Sequence, residues 1–285
     1  MKIGIIGYGF VGKAVHSILK DVEVCILDPK HEESVELKDL QDANIIFICV
    51  PTPTISTDEK NPGIRLNRCD DSLVLDYIQK LSTYNGVLVV KSTIPLHTVE
   101  EIAKIRSRTV VWPELLRECF ASQDMTNPSI MVVGAVNYQD FEALESLVIN
   151  HSTIEWRDPD FEAYDDEEPV TRMKCVTPTE ASIFKYAVNA FLATKVLFFH
   201  QMYQWLDRRG DAGLWDNISW LLEQEGRVGR SHLQAPGKHG LGYAGTCFPK
   251  DVKAFLEQVN HYDITSFPLL QEVDIQNEQI RTKIL

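Results

Sequence analysis

The segment KIGIIGYGFVGKAVHSILK, residues 2–20, decides the fold of this chain. Residues 2–6 predict a buried strand, and a helix follows a turn that contains Gly7, Gly9 and Gly12. In such a GxGxxG pattern the first glycine permits a sharp turn, the second lets a pyrophosphate approach the backbone, and the third lets helix and strand pack closely. The helix N-terminus offers N–H groups to that phosphate. The segment therefore predicts a dinucleotide-binding βα unit.

A second predicted strand, VEVCILD, ends at Asp28. This position is about 20 residues after the glycines, where an acidic residue binds the ribose hydroxyls of NAD. Because a carboxylate would repel the 2′-phosphate of NADP, we predict NAD as the cofactor. The alternative is that Asp28 is only a turn residue, since DPK is itself typical of a turn. We favour ribose binding because of the glycine pattern upstream.

Apolar runs alternate with helical stretches along the first half of the chain. Near-continuous apolar runs are typical of parallel strands covered on both faces, and they occur at residues 44–50, 86–92, 108–112 and 129–134. The alternation predicts a Rossmann-type, doubly wound and mostly parallel α/β sheet. Ligands bind at the carboxyl ends of such strands, so the candidate site loops are VPTPTIS after Val50, KSTIP after Val90 and WPELLRE after Val111.

The second half of the chain is predicted to be helical. Residues 179–207 contain neither Gly nor Pro and predict one helix about 40 Å long. Lys185 and Asn189 share one face of it; taken alone, this pair is better explained as a satisfied polar spot than as a site. Shorter helices are predicted at 214–226, 249–259 and 267–285. We predict an NAD-binding domain over 1–176 and a smaller all-helical domain over 177–285, with the long helix as the spine and as the contact of a homodimer.

The segment GLGYAGTCFPKD, residues 240–251, places Cys247 between a glycine-rich turn and a predicted helix. The residue is either an incidental core cysteine or a nucleophile. A thiol in the first turn of a helix has a lowered pKa because it lies at the positive end of the helix dipole. Asp251 follows one turn later, so both side chains can face the same cavity.

Composition excludes several classes of function. The formal net charge is −13, which argues against binding nucleic acid through a basic surface. Six cysteines occur without a CxxC pair or metal-ligand spacing, so we predict free thiols, a cytoplasmic protein and no metal site. No signal peptide or membrane contact is expected. The acidic run 158–169 is interpreted as a solvated connection.

Six motifs occur here in the order found in the UDP-glucose/GDP-mannose dehydrogenase family, which this chain resembles: GYGFVG, VPTP, KSTIP, PELLRE, EASIFKYAVNAFLATK and GYAGTCFPKD. The last is the most specific, because it combines a glycine turn, a cysteine and a Lys-Asp pair. The resemblance implies an NAD-dependent, two-step oxidation of the primary alcohol of a nucleotide sugar, with UDP-glucose to UDP-glucuronate as the preferred reaction, through a thioester on Cys247.

The resemblance also implies a set of site residues. The implied catalytic residues are Cys247 as nucleophile, Lys185 and Asn189 as holders of charged intermediates, Asp251 as the group that orders the hydrolytic water, Thr93 and Glu118. The implied cofactor contacts are Gly7, Tyr8, Gly9, Phe10, Val11, Gly12, Asp28, Lys30, Pro51, Thr52 and Thr93. The implied substrate contacts are Glu114, Leu115, Leu116, Lys185, Asn189, Tyr243, Gly245 and Arg227, with Arg227 reaching across a dimer interface.

Two features depart from the family pattern. Family members carry a third domain that binds the nucleotide, and this chain ends at the helix that would lead to it, so we expect a naturally short member, a truncated chain or one half of a two-chain enzyme. The insert 231–240 brings His232, Lys238 and His239 next to the glycine turn, either as an ordinary loop or as a substitute phosphate-binding element.

Two other functions stay open. The β-hydroxyacid and 6-phosphogluconate dehydrogenases share the design of a Rossmann domain plus helices, but they need no cysteine nucleophile. A non-catalytic protein that binds NAD or a sugar nucleotide is the second alternative. The intact set of chemical positions, Cys247, Lys185 and Asp251, argues against it.

Overall fold

The protein is described by a computed structural model that covers residues 1–57, 65–117, 120–154, 156–157, 171–261 and 267–282. Backbone contacts divide the chain into two compact units. Unit 1 comprises Met1–Pro53 and Asp70–Lys185, and unit 2 comprises Thr54–Cys69 and Tyr186–Leu285. This division assigns residues 54–69 to the second unit and residues 177–185 to the first. The domain boundary predicted after residue 176 stays a prediction.

The helices and strands have the following bounds. The strands are β1 (Lys2–Ile6), β2 (Glu23–Leu27), β3 (Ile45–Ile48), β4 (Thr54–Thr57), β5 (Arg65–Cys69), β6 (Val87–Val90), β7 (Thr109–Val111), β8 (Ile130–Gly134), β9 (Trp156–Arg157) and β10 (Thr171–Val176). The helices are α1 (Phe10–Ile18), α2 (Ser72–Lys80), α3 (Leu96–Ile105), α4 (Ala121–Thr126), α5 (Tyr138–His151), α6 (Pro178–Arg208), α7 (Trp215–Gln224), α8 (Phe248–His261) and α9 (Pro268–Thr282).

Unit 1 is built on an eight-stranded sheet in the order β2-β1-β3-β6-β7-β8-β10-β9. Every neighbouring pair is parallel except β7 and β8. The chain adds β2 on one side of β1 and β3 on the other, so the order of strands reverses at β1. A doubly wound sheet binds ligands beyond the carboxyl ends of its strands at such a reversal. The predicted Rossmann-type fold class is confirmed.

Both faces of this sheet are buried, which explains why its strands are apolar throughout. Ile3 and Ile5 of β1 lie in a core cluster with Val15 of α1 and Leu144 of α5. Residues of the opposite face lie in a second cluster, where Ile46 and Ile48 meet α2 and α3. Successive side chains of a strand point to opposite faces, so one apolar run supplies both cores.

Helix α6 is continuous from Pro178 to Arg208, as predicted. Thr177 caps it, because its Oγ1 accepts the N–H of Glu180 at 3.2 Å and its own N–H is donated to the Glu180 carboxylate at 2.7 Å. Pro at the first helical position costs nothing there. By length and composition alone α6 could cross a membrane, yet half of its most apolar 18-residue window is buried within the protein. Core helices pass the same test.

Unit 2 contains the C-terminal part of α6, helices α7–α9 and the antiparallel β4–β5 hairpin. Its main core joins Ala193 and Leu197 of α6 to Val252 of α8 and Val273 of α9. The hairpin packs against α8. The sequence predicted only helices for this unit, so the hairpin is an addition to the predicted fold.

Candidate functional site

The glycine turn after β1 has the geometry of a phosphate cradle. Gly7 has φ +89°, and a Cβ built there would lie 2.8 Å from the carbonyl oxygen of Cys49. A Cβ on Gly12 would clash with the carbonyl of Gly7. Gly9 is the N-cap of α1, and nothing lies within 4 Å of the position its Cβ would take. The helix N-terminus is therefore open to an anion, and only glycine fits the two crowded positions.

Asp28 directly follows β2 and is hydrogen-bonded to this turn. Its Oδ2 accepts the N–H of Tyr8 at 2.6 Å, and its Oδ1 accepts the N–H of Lys30 at 2.8 Å. These bonds, that of Tyr8 first, lower the pKa of Asp28 and keep it ionised near neutral pH. A carboxylate has about four lone-pair sites, so two bonds leave capacity for a ribose. The turn and Asp28 together fit the adenosine half of NAD.

The other predicted cofactor contacts differ in exposure. Tyr8, Phe10 and Val11 pack with one side against the core of unit 1. Lys30 and Pro51 are exposed. The hydroxyl-bearing Thr52 and Thr93 are 6% and 7% exposed. They follow strands β3 and β6, whose carboxyl ends share one edge of the sheet with β1.

A buried ion pair joins two of the predicted substrate residues. Lys185 Nζ donates to Glu114 Oε1 at 3.0 Å, and the two residues are 2% and 6% exposed. Glu114 Oε2 accepts the N–H of Leu116 at 2.6 Å. Leu115 and Leu116 are half-buried. The WPELLRE loop thus holds its glutamate through the main chain of Leu116, and that glutamate holds the lysine.

Lys91 is a member of this charged group that the sequence reasoning missed. It is 1% exposed, and its Nζ lies 3.8 Å from the centroid of the Trp112 ring. Burial is the main cause that lowers the pKa of Lys91 to about 7. The electrostatic effects of Cys49 and Glu114 raise this pKa, and that of Lys185 lowers it. A signal was available, because Lys91 follows β6 directly at the ligand-binding edge of the sheet. Thr93 is the one site residue that the sequence analysis predicts from the KSTIP motif.

Cys247 caps helix α8. Its carbonyl accepts the N–H of Asp251 at 2.8 Å, which is the first bond of the helix, and its side chain is half-buried. Thr246 Oγ1 lies 3.7 Å from the Cys247 Sγ. The predicted position of the thiol at a helix N-terminus is confirmed.

The Asp251 carboxylate is 1% exposed and is held from two sides. Asn189 Nδ2 of α6 donates to its Oδ2 at 2.5 Å, and Lys250 Nζ donates to its Oδ1 at 2.5 Å. The sequence predicted Asn189 and Asp251 as site residues from separate motifs. The structure brings them together one helical turn from Cys247.

The glycine turn before Cys247 is anchored to α9. The main chain of Tyr243 donates to Asn277 Oδ1 at 2.7 Å and accepts from Asn277 Nδ2 at 3.2 Å. The Tyr243 hydroxyl donates to Asp274 at 3.0 Å. Tyr243 is 1% exposed, so its ring packs in the core of unit 2. Gly245 is exposed with φ +81°.

The remaining predicted residues are placed as follows. Arg227 is exposed and its guanidinium pairs with Glu225 at 2.7 Å. In the insert, Gly237 and Gly240 exchange two backbone hydrogen bonds, which makes a tight turn with the exposed Lys238 and His239 at its tip. His232 is half-buried, and its ring lies 5.4 Å from the Phe248 ring, centroid to centroid, in a tilted arrangement. Glu118 and the acidic run 158–169 lie outside the described residues.

In the residues that the structure describes, no disulfide joins any two cysteines. Within the same residues, no group of three or more His, Cys, Asp or Glu side chains is arranged to hold a metal ion.

Comparison with family models places both halves of the chain in one family. Residues 30–151 match the NAD binding domain of the UDP-glucose/GDP-mannose dehydrogenase family, and residues 179–279 match its central domain. A UDP-glucose 6-dehydrogenase of Rickettsia felis is 30% identical over 250 residues, which cover 85% of this chain and 49% of that protein. The chain spans about half the length of the UDP-glucose 6-dehydrogenases it matches.

Solved structures show the same fold. A UDP-glucose dehydrogenase from Pyrobaculum islandicum aligns with a TM-score of 0.73 at 20% identity, covering 99% of this chain and 68% of that one. A 3-hydroxyisobutyrate dehydrogenase of Mycobacterium tuberculosis aligns with a TM-score of 0.64 at 12% identity, covering 99% and 93%. At these identities the likeness concerns the fold alone.

Proposed function

Because the chain belongs to the UDP-glucose/GDP-mannose dehydrogenase family and contains its NAD-binding domain, we propose that it oxidises the primary alcohol of a nucleotide sugar to a carboxylate. UDP-glucose is the proposed substrate and UDP-glucuronate the proposed product. The observation that carries this proposal is Cys247 as the N-cap of α8, with the Asp251 carboxylate one turn further and held by Asn189. A simple alcohol dehydrogenase would not need that arrangement.

The proposed chemistry makes one covalent intermediate on Cys247. NAD, when bound, supplies the hydride acceptor for both oxidations, one NAD for each. After the first oxidation the Cys247 thiolate adds to the carbonyl carbon of the aldehyde, and the second oxidation converts the resulting thiohemiacetal to a thioester. Water then attacks the thioester carbon and the C–S bond breaks, which returns the thiol. Asp251 is the proposed group that orders this water, as a fixed carboxylate can.

Lys185 is the proposed cation for the negative oxygen that develops during these steps. Its ion pair with Glu114 fixes the ammonium in place. A preorganised donor of this kind contributes a few kcal/mol to stabilising the transition state. Asp28 is the proposed ligand of the NAD ribose, and the N-terminus of α1 that of the pyrophosphate.

We further propose that the protein is a cytoplasmic homodimer that pairs through α6. Phe191, Phe198 and Trp205 follow one another at seven-residue spacing and are 66%, 57% and 56% exposed. Seven residues are close to two turns of helix, so the three rings form one apolar stripe. Apolar stripes of this size are rarely left in water. Arg227 is the proposed residue that crosses to the partner's substrate.

The test is the stoichiometry of NADH formed per UDP-glucose consumed, read by absorbance. We expect two NADH per sugar and a carboxylate product. Cys247→Ala is expected to abolish acid formation, and Cys247→Ser is expected to stall the second oxidation. Acid formation at the wild-type rate by both variants would contradict the thioester route. Cys175→Ser, a half-buried strand cysteine, is the matched control.

The same measurement separates the alternatives. One NADH per turnover with a 3-hydroxy acid, and none with sugar nucleotides, would favour the β-hydroxyacid dehydrogenase hypothesis. NAD binding without turnover on any UDP- or GDP-sugar would favour the non-catalytic hypothesis.

A further inference from the structure

His200 on α6 is buried and uses both of its ring nitrogens. It is 2% exposed. Its Nδ1 accepts the backbone N–H of Gly242 at 2.7 Å, and its Nε2 lies 2.8 Å from the carbonyl oxygen of Gln234. A carbonyl can only accept, so Nε2 carries the proton and Nδ1 is bare. The geometry therefore requires the neutral ring, in a single tautomer.

The two backbone groups that His200 holds belong to the segment leading to Cys247. Gln234 lies in the insert, and Gly242 opens the glycine turn. Gly242 has φ +83°, and a Cβ there would lie 2.5 Å from Asn277 Oδ1 and 2.8 Å from Ile280 Cγ2. The turn is thus clamped between α6 and α9. From Gly242 it runs five residues to Cys247, whose carbonyl starts α8.

We propose that His200 is a positioning residue that holds the glycine turn before Cys247 only while its imidazole is neutral. Protonation would place an N–H on Nδ1, opposite the N–H of Gly242. Two donors then face each other at a distance of 2.7 Å, and the clamp on the α6 side opens. The Gln234 bond survives, because Nε2 donates in both states. Acid would therefore release the turn and leave the insert in place.

The surroundings of His200 agree with a neutral ring. Burial lowers its pKa below 6.5, and the bond to the Gln234 carbonyl raises it by less. The elements around His200 carry the titratable groups Lys195 and Tyr203 on α6, Lys238 and His239 on the insert, and Asp274 and Arg281 on α9. The causes of the shift are burial and that backbone bond, not a charged side chain. Protonation of the His200 ring itself is therefore the proposed switch. It breaks the bond to Gly242 below about pH 6.5.

Two isosteric variants separate the two hydrogen bonds. His200→Asn keeps an acceptor at the δ position and cannot be protonated, whereas His200→Gln keeps a donor at the ε position and loses that acceptor. Hydrogen exchange of residues 240–247, corrected for intrinsic rates, measures how well the glycine turn is held. It needs neither substrate nor NAD. At pH 7.5 we expect about tenfold faster exchange in His200→Gln, the value of one hydrogen bond, and near wild-type exchange in His200→Asn. The exposed Gln201→Ala is the control.

The pH series decides whether the ring is the switch. In the wild type, protection of 240–247 should fall below about pH 6.5, and in His200→Asn it should not. Equal protection in His200→Gln and wild type, or the same acid loss in His200→Asn, would overturn the proposal. We also expect kcat to fall over the same acid range in the wild type and not in His200→Asn. This second expectation rests on the proposed role of Cys247. If no sugar nucleotide is oxidised, the exchange data still decide.

Discussion

Lys91 carries an ammonium group into the core of unit 1. The unfolded chain keeps this lysine protonated up to about pH 10.5, whereas burial brings its folded pKa to about 7. Between these values Lys91 binds more protons in the unfolded state than in the folded state, so its contribution to the free energy of unfolding rises with pH. The contact with the Trp112 ring favours the charged form of Lys91. It therefore raises the folded pKa, which is the lower limit of this pH range.

We therefore predict that Lys91→Met removes a pH dependence of stability. In the wild type the free energy of unfolding should increase between pH 7.5 and 9.5, by at most about 1.4 kcal/mol per pH unit. Urea unfolding followed by tryptophan fluorescence measures it. The exposed Lys104→Met should keep the wild-type slope, and a Lys91→Met protein that also keeps it would contradict the assignment.

Asp28 allows a prediction about cofactor affinity. Asp28→Ala removes the acceptor for Tyr8 N–H and the proposed ribose ligand together. Loss of a hydrogen bond to a charged group costs about 1.5–3 kcal/mol, so the Kd for NAD should rise about 10- to 150-fold. Titration calorimetry measures it, with UDP-glucose as the comparison ligand. An equal loss for UDP-glucose would mean that the substitution damages the fold instead.

The residues found by the sequence and those it missed differ in how their chemistry is encoded. Gly7 and Asp28 stand at fixed places in a local pattern that can be interpreted directly, whereas the role of Asn189 is predicted only from the resemblance to the family. The role of His200 depends on two backbone groups 34 and 42 residues away. No spacing in the chain carries that information.

At the scale of elements, α9 is the support of the glycine turn. Asn277 is 4% exposed and satisfies both backbone groups of Tyr243. Asn277→Ala would leave a buried donor and a buried acceptor unpaired, each at a cost of about 1–3 kcal/mol. We predict a loss in this range or above it in urea unfolding, and little change for the exposed Gln279→Ala. An Asn277→Ala protein as stable as the wild type would show that water replaces the amide.

Element prediction succeeded where apolar runs were nearly continuous or where a long segment lacked glycine and proline. The predicted strands of residues 2–6, 44–50 and 86–92 and the helix 179–207 match β1, β3, β6 and α6. Strand β10 was missed although it alternates, with Arg172 and Lys174 exposed and Met173 buried. β4 was read as a loop because Pro51 and Pro53 dominate its surroundings. Its hairpin is fixed by packing on α8, which is distant in sequence.

At the scale of the whole molecule, the α6 stripe predicts the state of association. Phe198→Asp places a charge in the middle of the stripe and should convert a dimer into monomers at micromolar concentration. Light scattering coupled to gel filtration measures the mass. Ser219→Asp, a polar site on α7, is the control. A monomeric wild type would contradict the proposed interface, and a dimeric Phe198→Asp protein would place the interface elsewhere.

The β4–β5 hairpin has a consequence for synthesis of the chain. It belongs to unit 2, although unit 1 surrounds it in sequence, and it packs against α8. On the ribosome the hairpin emerges roughly 180 residues before that helix, which at about 5–20 residues per second is a wait of about 10–35 s. During this interval the sheet of unit 1 can close while the hairpin has nothing to pack on. The hairpin therefore reaches its packed state only after α8 has been synthesised.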